Sequence, residues 1–241
     1  MIFKFRKNDQ KMNKMSKNDQ KMIKMIKNKT LLFYVFCSLF IASLSCLNAN
    51  NQNKKMDSTK VVLMGNSITE GWQKDRPDFF ESNNCLINKG VSGQTTVEML
   101  VRFKKDVVDL RPNIVIILAG INDIAQNSGY ISLDDIAKNI TKMGLIAKAS
   151  NIKVVVCSVL PVTSIEWNSK IKNSNQKVID LNSKLLKSTK THGFLYLDYY
   201  SSMKDELTEL TYDGLHPNKS GYLKMEPILT RAIQSLLTDP N

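Results

Sequence analysis

Histidine is scarce in this sequence of 241 residues, which contains only His192 and His216. Two histidines exclude a histidine-rich metal centre, and neither a CxxC pair nor an HExxH motif provides another set of zinc ligands. The four cysteines are too few to form a disulfide scaffold for a chain of this length. Any reaction that needs an imidazole therefore has two candidates for it.

Acidic residues are outnumbered by basic ones, and the formal net charge is +12 at pH 7. Most of the excess lies at the N-terminus, because residues 1–30 contain ten Lys and Arg but only two Asp. From Cys46 onward, 24 basic residues stand against 20 acidic ones. A nucleic-acid-binding domain carries its basic residues on one face of the fold, so this distribution predicts no nucleic-acid partner.

The longest uncharged apolar run covers residues 31–45 and follows the lysine-rich segment. As a helix it would rise about 22 Å, short of the roughly 30 Å of a bilayer's hydrocarbon core. The pattern predicts a secretory signal region over residues 1–46, with a retained membrane anchor as the alternative. The hexapeptide KNDQKM occurs twice in the lysine-rich segment, and a translation start at Met22 or Met25 would leave a signal of ordinary length.

Cys46 closes the apolar run, where a bacterial lipoprotein has its acylated cysteine. Ser45 is the small residue expected before it, but the aliphatic residue usual three positions earlier is missing. A membrane tether through lipidated Cys46 and simple secretion are therefore both open. Residues 47–59 predict a polar linker. Residues 60–241 predict a folded domain that works outside the cytoplasm, in the periplasm or cell envelope or as a secreted protein.

The folded domain alternates two kinds of segment, in a chain that is 42% hydrophobic. Short apolar runs rich in β-branched residues predict strands at 61–65, 85–89, 114–119, 154–159 and 194–198. Amphipathic stretches predict helices at 95–110, 132–149, 168–191 and 217–237, the last with a kink or a break at Pro227. This alternation predicts a parallel sheet covered on both faces, a three-layer α/β/α domain.

Small and hydrogen-bonding residues follow the predicted strands. Ser67 comes directly after the first strand, Gly93 follows the second and Asn122 follows the third. Asp213 and His216 lie beyond the fifth. Because ligands of open parallel sheets bind at the carboxyl ends of the strands, the sequence predicts a site at this edge.

These residue types can form a serine hydrolase site. A serine hydroxyl is a poor nucleophile unless a base takes its proton, and His216 can be that base for Ser67. Asp213 can hold the other imidazole nitrogen. Ester cleavage also needs donors for the tetrahedral oxyanion. The backbone N–H groups of Ser67 and Gly93 and the side-chain amide of Asn122 form the predicted oxyanion hole.

Each of these residues also has an ordinary structural interpretation. Ser67 alone fits a helix N-cap, Gly93 a turn glycine and Asn122 a capping or turn residue. His192 stands between a predicted helix and a strand and is assigned to the helix C-terminus. The joint occurrence of the candidate residues after four different strands, in this order, favours a functional site.

The sequence resembles the SGNH/GDSL hydrolase superfamily, whose motif blocks carry Ser, Gly, Asn and His in this order. The matching blocks are GNSIT at 65–69, GVSGQTT at 90–96, GIND at 120–123 and DGLHP at 213–217. The resemblance implies Ser67 as nucleophile, Gly93 and Asn122 as oxyanion donors, and Asp213 with His216 as the rest of a triad. It also implies a flavodoxin-like five-stranded sheet of order 2-1-3-4-5, with neither a metal nor an organic cofactor. Asn66 stands where the commonest first block has Asp, which keeps the side chain's shape without its charge.

The resemblance implies ester hydrolysis through an acyl-serine intermediate. Short loops after the strands favour short acyl groups, chiefly acetyl, and an exported enzyme meets carbohydrate esters. We therefore expect a small-molecule or carbohydrate ester as substrate. Trp72 and Trp167 are candidate sugar-stacking residues, with packing in the core or at the rim as the alternative. A lysophospholipase or thioesterase is the second interpretation, and a carbohydrate-binding module without chemistry is the third.

The implied strand order also bears on Cys85 and Cys157, which fall in the second and fourth strands. At about 4.8 Å per strand they would lie about 14 Å apart, beyond the reach of a disulfide. Both are predicted to be buried thiols.

Overall fold

The computed structural model describes residues 59–238, together with Met22 and Met25. The chain divides into two units, Met1–Asn53 and Lys54–Asn241, and residues 59–238 all belong to the second. The predicted signal region and almost all of the predicted linker lie outside the described residues. A helix with the length and apolar character needed to span a bilayer does not occur among the described residues.

Five parallel strands form the sheet, in the order β2-β1-β3-β4-β5. Their bounds are β1 Val61–Gly65, β2 Leu86–Gly90, β3 Ile114–Leu118, β4 Lys153–Cys157 and β5 Leu195–Leu197. Every residue of β1 and β3 is buried, because helices cover these central strands on both faces. The predicted strands and the predicted strand order are confirmed.

Helices connect the strands and form the two outer layers. Their bounds are α1 Ser67–Asp75, α2 Pro77–Ser82, α3 Thr96–Asp106, α4 Ile121–Ile124, α5 Leu133–Ala149, α6 Ser174–His192, α7 Tyr199–Met203, α8 Leu207–Leu210 and α9 Lys219–Thr238. Helices α3, α5 and α6 pack side by side, whereas α9 packs with α1, α7 and α8. Right-handed crossovers leave β1 toward β2 and return toward β3, so α1 and α3 cover opposite faces. The three-layer α/β/α fold is confirmed.

Two predicted helices have different limits in the structure. The stretch predicted at 95–110 is the α-helix α3 followed by a separate 3₁₀ turn at Val108–Leu110. The helix predicted from residue 168 begins only at Ser174, because Asn173 adopts a left-handed conformation with φ of 54°. A 3₁₀ turn at Glu166–Asn168 precedes it.

The predicted break at Pro227 is wrong, since α9 continues through this residue as one helix. The kink expected as the alternative stays a prediction. Proline removes a single backbone donor, the one that would bond the carbonyl of Leu223. The side chain of Leu223 is exposed. Beyond the proline, buried Met225 and Leu229 hold the helix against the rest of the domain.

Trp72 lies inside an aromatic cluster of the core and is only 3% exposed. Its ring stacks on Phe79 and Tyr222 and meets Phe80 and Tyr199 edge-on. The packing alternative therefore holds for Trp72, which cannot offer a face to a sugar.

Cys85 and Cys157 are both buried, as predicted. Burial raises the pKa of the Cys157 thiol, which keeps this side chain protonated and unreactive.

Candidate active site

Ser67 is the first residue of α1 and follows β1 after a single intervening residue, Asn66. The Asn66 side-chain oxygen accepts a hydrogen bond from the backbone N–H of Ile68 at 3.0 Å. Asn66, rather than Ser67, is therefore the N-cap of this helix. A neutral amide oxygen performs this capping without a charge, and the Ser67 hydroxyl is left for other contacts.

Ser67, His216 and Asp213 form one chain of hydrogen bonds. The Ser67 Oγ lies 3.0 Å from His216 Nε2, and His216 Nδ1 lies 2.7 Å from an oxygen of Asp213. An ionised carboxylate can only accept, so Nδ1 carries the proton and donates to Asp213. Nε2 is then the acceptor for the Ser67 hydroxyl. The structure thus brings together the three predicted triad residues, although 149 positions separate serine and histidine in the chain.

A tight turn fixes the aspartate beneath the imidazole. The second oxygen of Asp213 accepts from the backbone N–H groups of Leu215 and His216, at 3.0 and 2.7 Å. Gly214, inside this turn, has φ of 76°, and a Cβ there would lie 2.0 Å from the Thr163 hydroxyl. Only glycine fits both the backbone conformation and the close approach.

The carboxyl of Asp213 stays ionised at neutral pH. Its partial burial pushes its pKa upward, but hydrogen bonds from the side chain and backbone of His216, the imidazolium charge and the Leu215 N–H outweigh burial. The pKa of Asp213 therefore lies below the usual 3.8. A charged carboxylate at this position can stabilise a protonated imidazole.

The predicted oxyanion residues lie at the same sheet edge. The last residue of β1, Gly65, pairs with Gly90 of β2 and with Leu118 of β3. Ser67, Gly93 and Asn122 each follow one of these three strand ends by a few residues.

The Gly93 turn and the Asn122 side chain are in direct contact. The amide nitrogen of Asn122 donates to the carbonyl of Gln94 at 3.0 Å, and its side chain is buried. A side-chain amide has two hydrogens, so one remains for another acceptor. Gly93 has φ of 78°, and no atom lies within 4 Å of the place where a Cβ would stand. The turn therefore borders open space.

Asp123 is a buried carboxyl that the sequence patterns did not single out as important. It is 1% exposed and accepts hydrogen bonds from the backbone N–H and the hydroxyl of Thr96. Burial raises its pKa to about 6, against the hydrogen bonds from Thr96 and with a smaller contribution from Glu98. This residue ties α4, which carries Asn122, to the start of α3.

Trp167 lies beside the His216 imidazole, and Asn127 connects Trp167 to the Gly93 turn. Trp167 is 48% exposed, and its ring centre lies 6.1 Å from that of His216. Its indole N–H donates to the Asn127 side-chain oxygen at 2.9 Å. The amide nitrogen of Asn127 donates in turn to the carbonyl of Gly93 at 3.0 Å. Of the two candidate sugar-stacking residues, only Trp167 presents a face. Asn127 was missed because no motif spacing marks it.

His192 lies away from the site, as predicted. It is the last residue of α6, its ring stacks on Phe194, and its carbonyl accepts from the Lys148 ammonium at 2.8 Å. His192 precedes the amino end of β5, whereas Ser67 follows the carboxyl end of β1, so the two lie at opposite ends of the parallel strands.

Over residues 59–238, His, Cys, Asp and Glu side chains form no group of three or more that could hold a metal ion.

A family pattern and a solved structure indicate the same family. The sequence pattern of the GDSL-like lipase/acylhydrolase family matches residues 63–224, about two thirds of the chain. A solved GDSL-like lipase from Bacteroides thetaiotaomicron VPI-5482 is 40% identical, with a TM-score of 0.71 over 76% of this chain and 89% of that one.

Two more distant relatives are acetylxylan esterases. The solved enzyme from Geobacillus stearothermophilus shares the fold, with a TM-score of 0.61 at 18% identity over 76% of this chain and 96% of that one. The Xylanibacter ruminicola enzyme is 24% identical over 75% of this chain, and the match spans only 44% of that protein's length. The predicted class, a carboxylic ester hydrolase, agrees with all of these relatives. The chain belongs to the GDSL-like lipase/acylhydrolase family.

Proposed function

We propose that this protein is an exported serine esterase that hydrolyses short-chain O-esters, chiefly acetyl esters of carbohydrates, through an acyl-serine intermediate. The observation that carries the proposal is the continuous hydrogen-bond chain from Ser67 through His216 to Asp213. Ser67 is the nucleophile, His216 the general base and acid, and Asp213 the group that orients and stabilises the imidazole.

In the first half of the reaction, Ser67 Oγ attacks the carbonyl carbon of the ester while His216 Nε2 takes the hydroxyl proton. The carbonyl oxygen becomes an oxyanion, and the N–H groups of Ser67 and Gly93 and the Asn122 amide donate to it. When the tetrahedral intermediate collapses, the bond to the alcohol oxygen breaks. His216 gives its proton to that oxygen. The alcohol then departs, and Ser67 remains acylated.

The second half repeats these steps with water. A water molecule attacks the acyl carbon as His216 Nε2 takes one of its protons, and the same donors stabilise the second oxyanion. Collapse breaks the bond to Ser67 Oγ, which receives the proton back from His216. The carboxylic acid is released, and the site returns to its initial state.

The preference for a short acyl group and a polar alcohol has two supports. The cavity beside Trp167, with a volume of about 440 Å³, is lined otherwise by Ala125, Gln126, Asn127 and Asn168. Three of these four side chains are amides, which suit hydroxyl groups better than an alkyl chain. The second support is that two relatives of the chain are named acetylxylan esterases.

Hydrolysis of p-nitrophenyl acetate, butyrate and octanoate, with the Ser67→Ala variant as control, tests this function. We expect kcat/KM to fall as the acyl chain lengthens, and turnover to vanish in the variant. A maximum at octanoate would favour the alternative, a lysophospholipase or thioesterase. Folded protein without activity on any ester would contradict the proposal in favour of a carbohydrate-binding module.

Export rests on the sequence of the N-terminal region, with lipidation of Cys46 and simple secretion as the two routes. Cell fractionation of the producing bacterium, with metabolic labelling by a radioactive fatty acid, separates them. Label that disappears in a Cys46→Ala variant indicates a lipoprotein, whereas unlabelled protein in the medium or periplasm indicates secretion. Protein found only in the cytoplasm would contradict export.

A further inference from the structure

Trp167 exposes an aromatic face beside the imidazole that the proposed reaction uses. Its side chain is about half exposed, and its ring is tilted by 38° from the His216 ring at a centroid distance of 6.1 Å. The Asn127 side chain already takes the indole N–H. Trp167 therefore offers the face of its ring rather than a hydrogen bond.

Asn127 holds this indole and the Gly93 turn at the same time. An indole nitrogen can only donate and a backbone carbonyl can only accept. The oxygen of Asn127 must therefore face Trp167, and its nitrogen must face Gly93, at 2.9 and 3.0 Å. The amide orientation is fixed by its partners, and one side chain connects the exposed ring to the turn that borders the reacting atoms.

The cavity at Trp167 is lined by one aromatic face and several amides. Asn168 bonds the Ala125 carbonyl through its nitrogen at 2.9 Å, which anchors the turn that carries Trp167 to the segment after α4. A pyranose ring has C–H groups on its faces and hydroxyl groups around its edge. Its faces match an aromatic ring, and its hydroxyl groups match side-chain amides. An alkyl chain can neither donate a hydrogen bond to these amides nor accept one from them.

We propose that Trp167 and the amides of this cavity bind the sugar ring that carries the ester, and that Asn127 is a positioning residue for both Trp167 and the Gly93 turn. This inference rests on the proposed esterase function and specifies where its alcohol portion binds. The sugar occupies the side of His216 that receives the leaving alcohol oxygen. Specificity for carbohydrate esters then resides in one ring and three amides, all outside the four motif blocks.

Binding can be measured without turnover, because the chain has only two tryptophans and Trp72 is buried. In the Ser67→Ala variant of the full chain, acrylamide quenching of tryptophan fluorescence reports mainly on Trp167. We expect methyl β-xylopyranoside to protect this emission from acrylamide. In the Ser67→Ala/Trp167→Phe variant, which keeps an aromatic face, the remaining emission should not respond. Absence of protection at every concentration up to the solubility limit of the sugar would overturn the proposal.

Kinetics on two acetyl esters separate sugar recognition from chemistry. The substrates are peracetylated methyl xylopyranoside and ethyl acetate, which has no ring. For Trp167→Ala we expect the ratio of kcat/KM for the sugar ester to that for ethyl acetate to fall roughly tenfold, mainly through KM. Trp167→Phe should recover most of this loss. An unchanged ratio in Trp167→Ala would overturn the assignment of the sugar site.

Asn127→Asp separates the two bonds of Asn127. The carboxylate still accepts from the Trp167 indole but cannot donate to the Gly93 carbonyl. We expect kcat to fall for both esters, with the sugar KM near that of the wild type, whereas Asn127→Ala should also raise the sugar KM. Unchanged kcat in Asn127→Asp would overturn the positioning role. Wild-type protein inactive on both esters would contradict the proposed function itself, and protection from quenching would still test the sugar site.

Discussion

The two histidines differ in everything that surrounds them. His216 lies between the Ser67 hydroxyl and the Asp213 carboxylate, whereas His192 ends a helix and stacks on Phe194. We predict that His216→Ala lowers kcat by roughly 10⁴-fold or more, since removing a triad base disables the nucleophile. His192→Ala, the matched control, should remain near the wild-type rate. Ester hydrolysis assays on both folded variants check this, and the reverse result would refute the assignment.

Asn122 is expected to act at the transition state. One hydrogen of its amide bonds the Gln94 carbonyl, and the other is available to an oxyanion. We predict that Asn122→Ala lowers kcat by roughly 10²–10³, the usual loss for an oxyanion donor, with a smaller effect on KM. Steady-state kinetics test this, with circular dichroism to verify the fold. Unchanged kcat would remove Asn122 from the oxyanion hole.

Asp123 makes the stability of the domain depend on pH. Because its folded-state pKa of about 6 lies above the ordinary 3.8, the folded protein binds the proton more tightly than the unfolded chain. The stabilisation from Asp123 is therefore complete below about pH 4 and is lost as the pH rises through about 6. The lowered pKa of Asp213 makes stability rise with pH instead. This contribution is the same in the wild type and in an Asp123→Asn variant, so it cancels when the two are compared.

We predict that Asp123→Asn removes this contribution. Between about pH 4 and about pH 7, the unfolding free energy of the wild type should fall relative to that of the variant by on the order of 2 kcal/mol. The neutral amide oxygen of the variant can still accept from Thr96, so the contact itself is partly preserved. Urea unfolding at both pH values measures the shift. A pH-independent difference would contradict the raised pKa.

At the scale of elements, α1, α7 and α9 meet around Trp72, where two tyrosines offer a matched comparison. Tyr222 donates its hydroxyl to the Ile68 carbonyl at 2.8 Å. The Tyr199 hydroxyl is buried without a hydrogen-bond partner within residues 59–238. A buried polar group without a partner costs stability, and a satisfied one contributes to it. Both rings pack against Trp72, Tyr222 by stacking and Tyr199 edge-on, and their hydroxyl groups differ in having a hydrogen-bond partner.

We predict opposite results for the two Tyr→Phe variants. Tyr199→Phe should leave the unfolding free energy unchanged or raise it by up to about 1 kcal/mol, because it removes an unpaired hydroxyl. Tyr222→Phe should lower it by about 1 kcal/mol, because it removes a buried hydrogen bond. Urea unfolding of both proteins tests the pair. A larger loss for Tyr199→Phe than for Tyr222→Phe would contradict this description of the core.

Elements with a clear physical signal were predictable from the sequence. The central strands β1 and β3 are unbroken buried apolar runs, and the long helices α5 and α9 have an apolar stripe. The short helices α4, α7 and α8, of four or five residues, are too short to show a period. The late start of α6 depends on one left-handed residue, Asn173, and asparagine does not adopt this conformation often enough to mark it in a sequence.

The candidate site divides in the same way. The sequence predicted the motif residues together because each comes after a different predicted strand. These residues are Ser67, Gly93, Asn122 and the Asp213–His216 turn. Asn127 was not predicted, because its role depends on partners 34 and 40 positions away in the sequence. The burial of the Asp123 carboxyl likewise depends on tertiary packing, which a sequence motif does not encode.

At the scale of the whole molecule, the strand order creates the site. Crossovers leave β1 in opposite directions, so its carboxyl end borders the switch point at which open parallel sheets bind ligands. Ser67 and Asn122 follow the two strands at this point. His216 lies near the C-terminus of the chain, on a turn that the rest of the domain holds in place. The Gly214 carbonyl of this turn accepts a hydrogen bond from the Thr163 N–H at 3.0 Å. The site is complete only in the folded domain.

The most direct test of the central claim, that His216 activates Ser67 as a nucleophile, is labelling of the full chain with a fluorophosphonate and peptide mass spectrometry. We predict one adduct, on Ser67, that is absent in Ser67→Ala and after denaturation. In His216→Ala the labelling rate should fall by roughly 10³-fold or more, because the hydroxyl loses its base. An adduct on another serine, or an unchanged rate on Ser67 in His216→Ala, would contradict the claim.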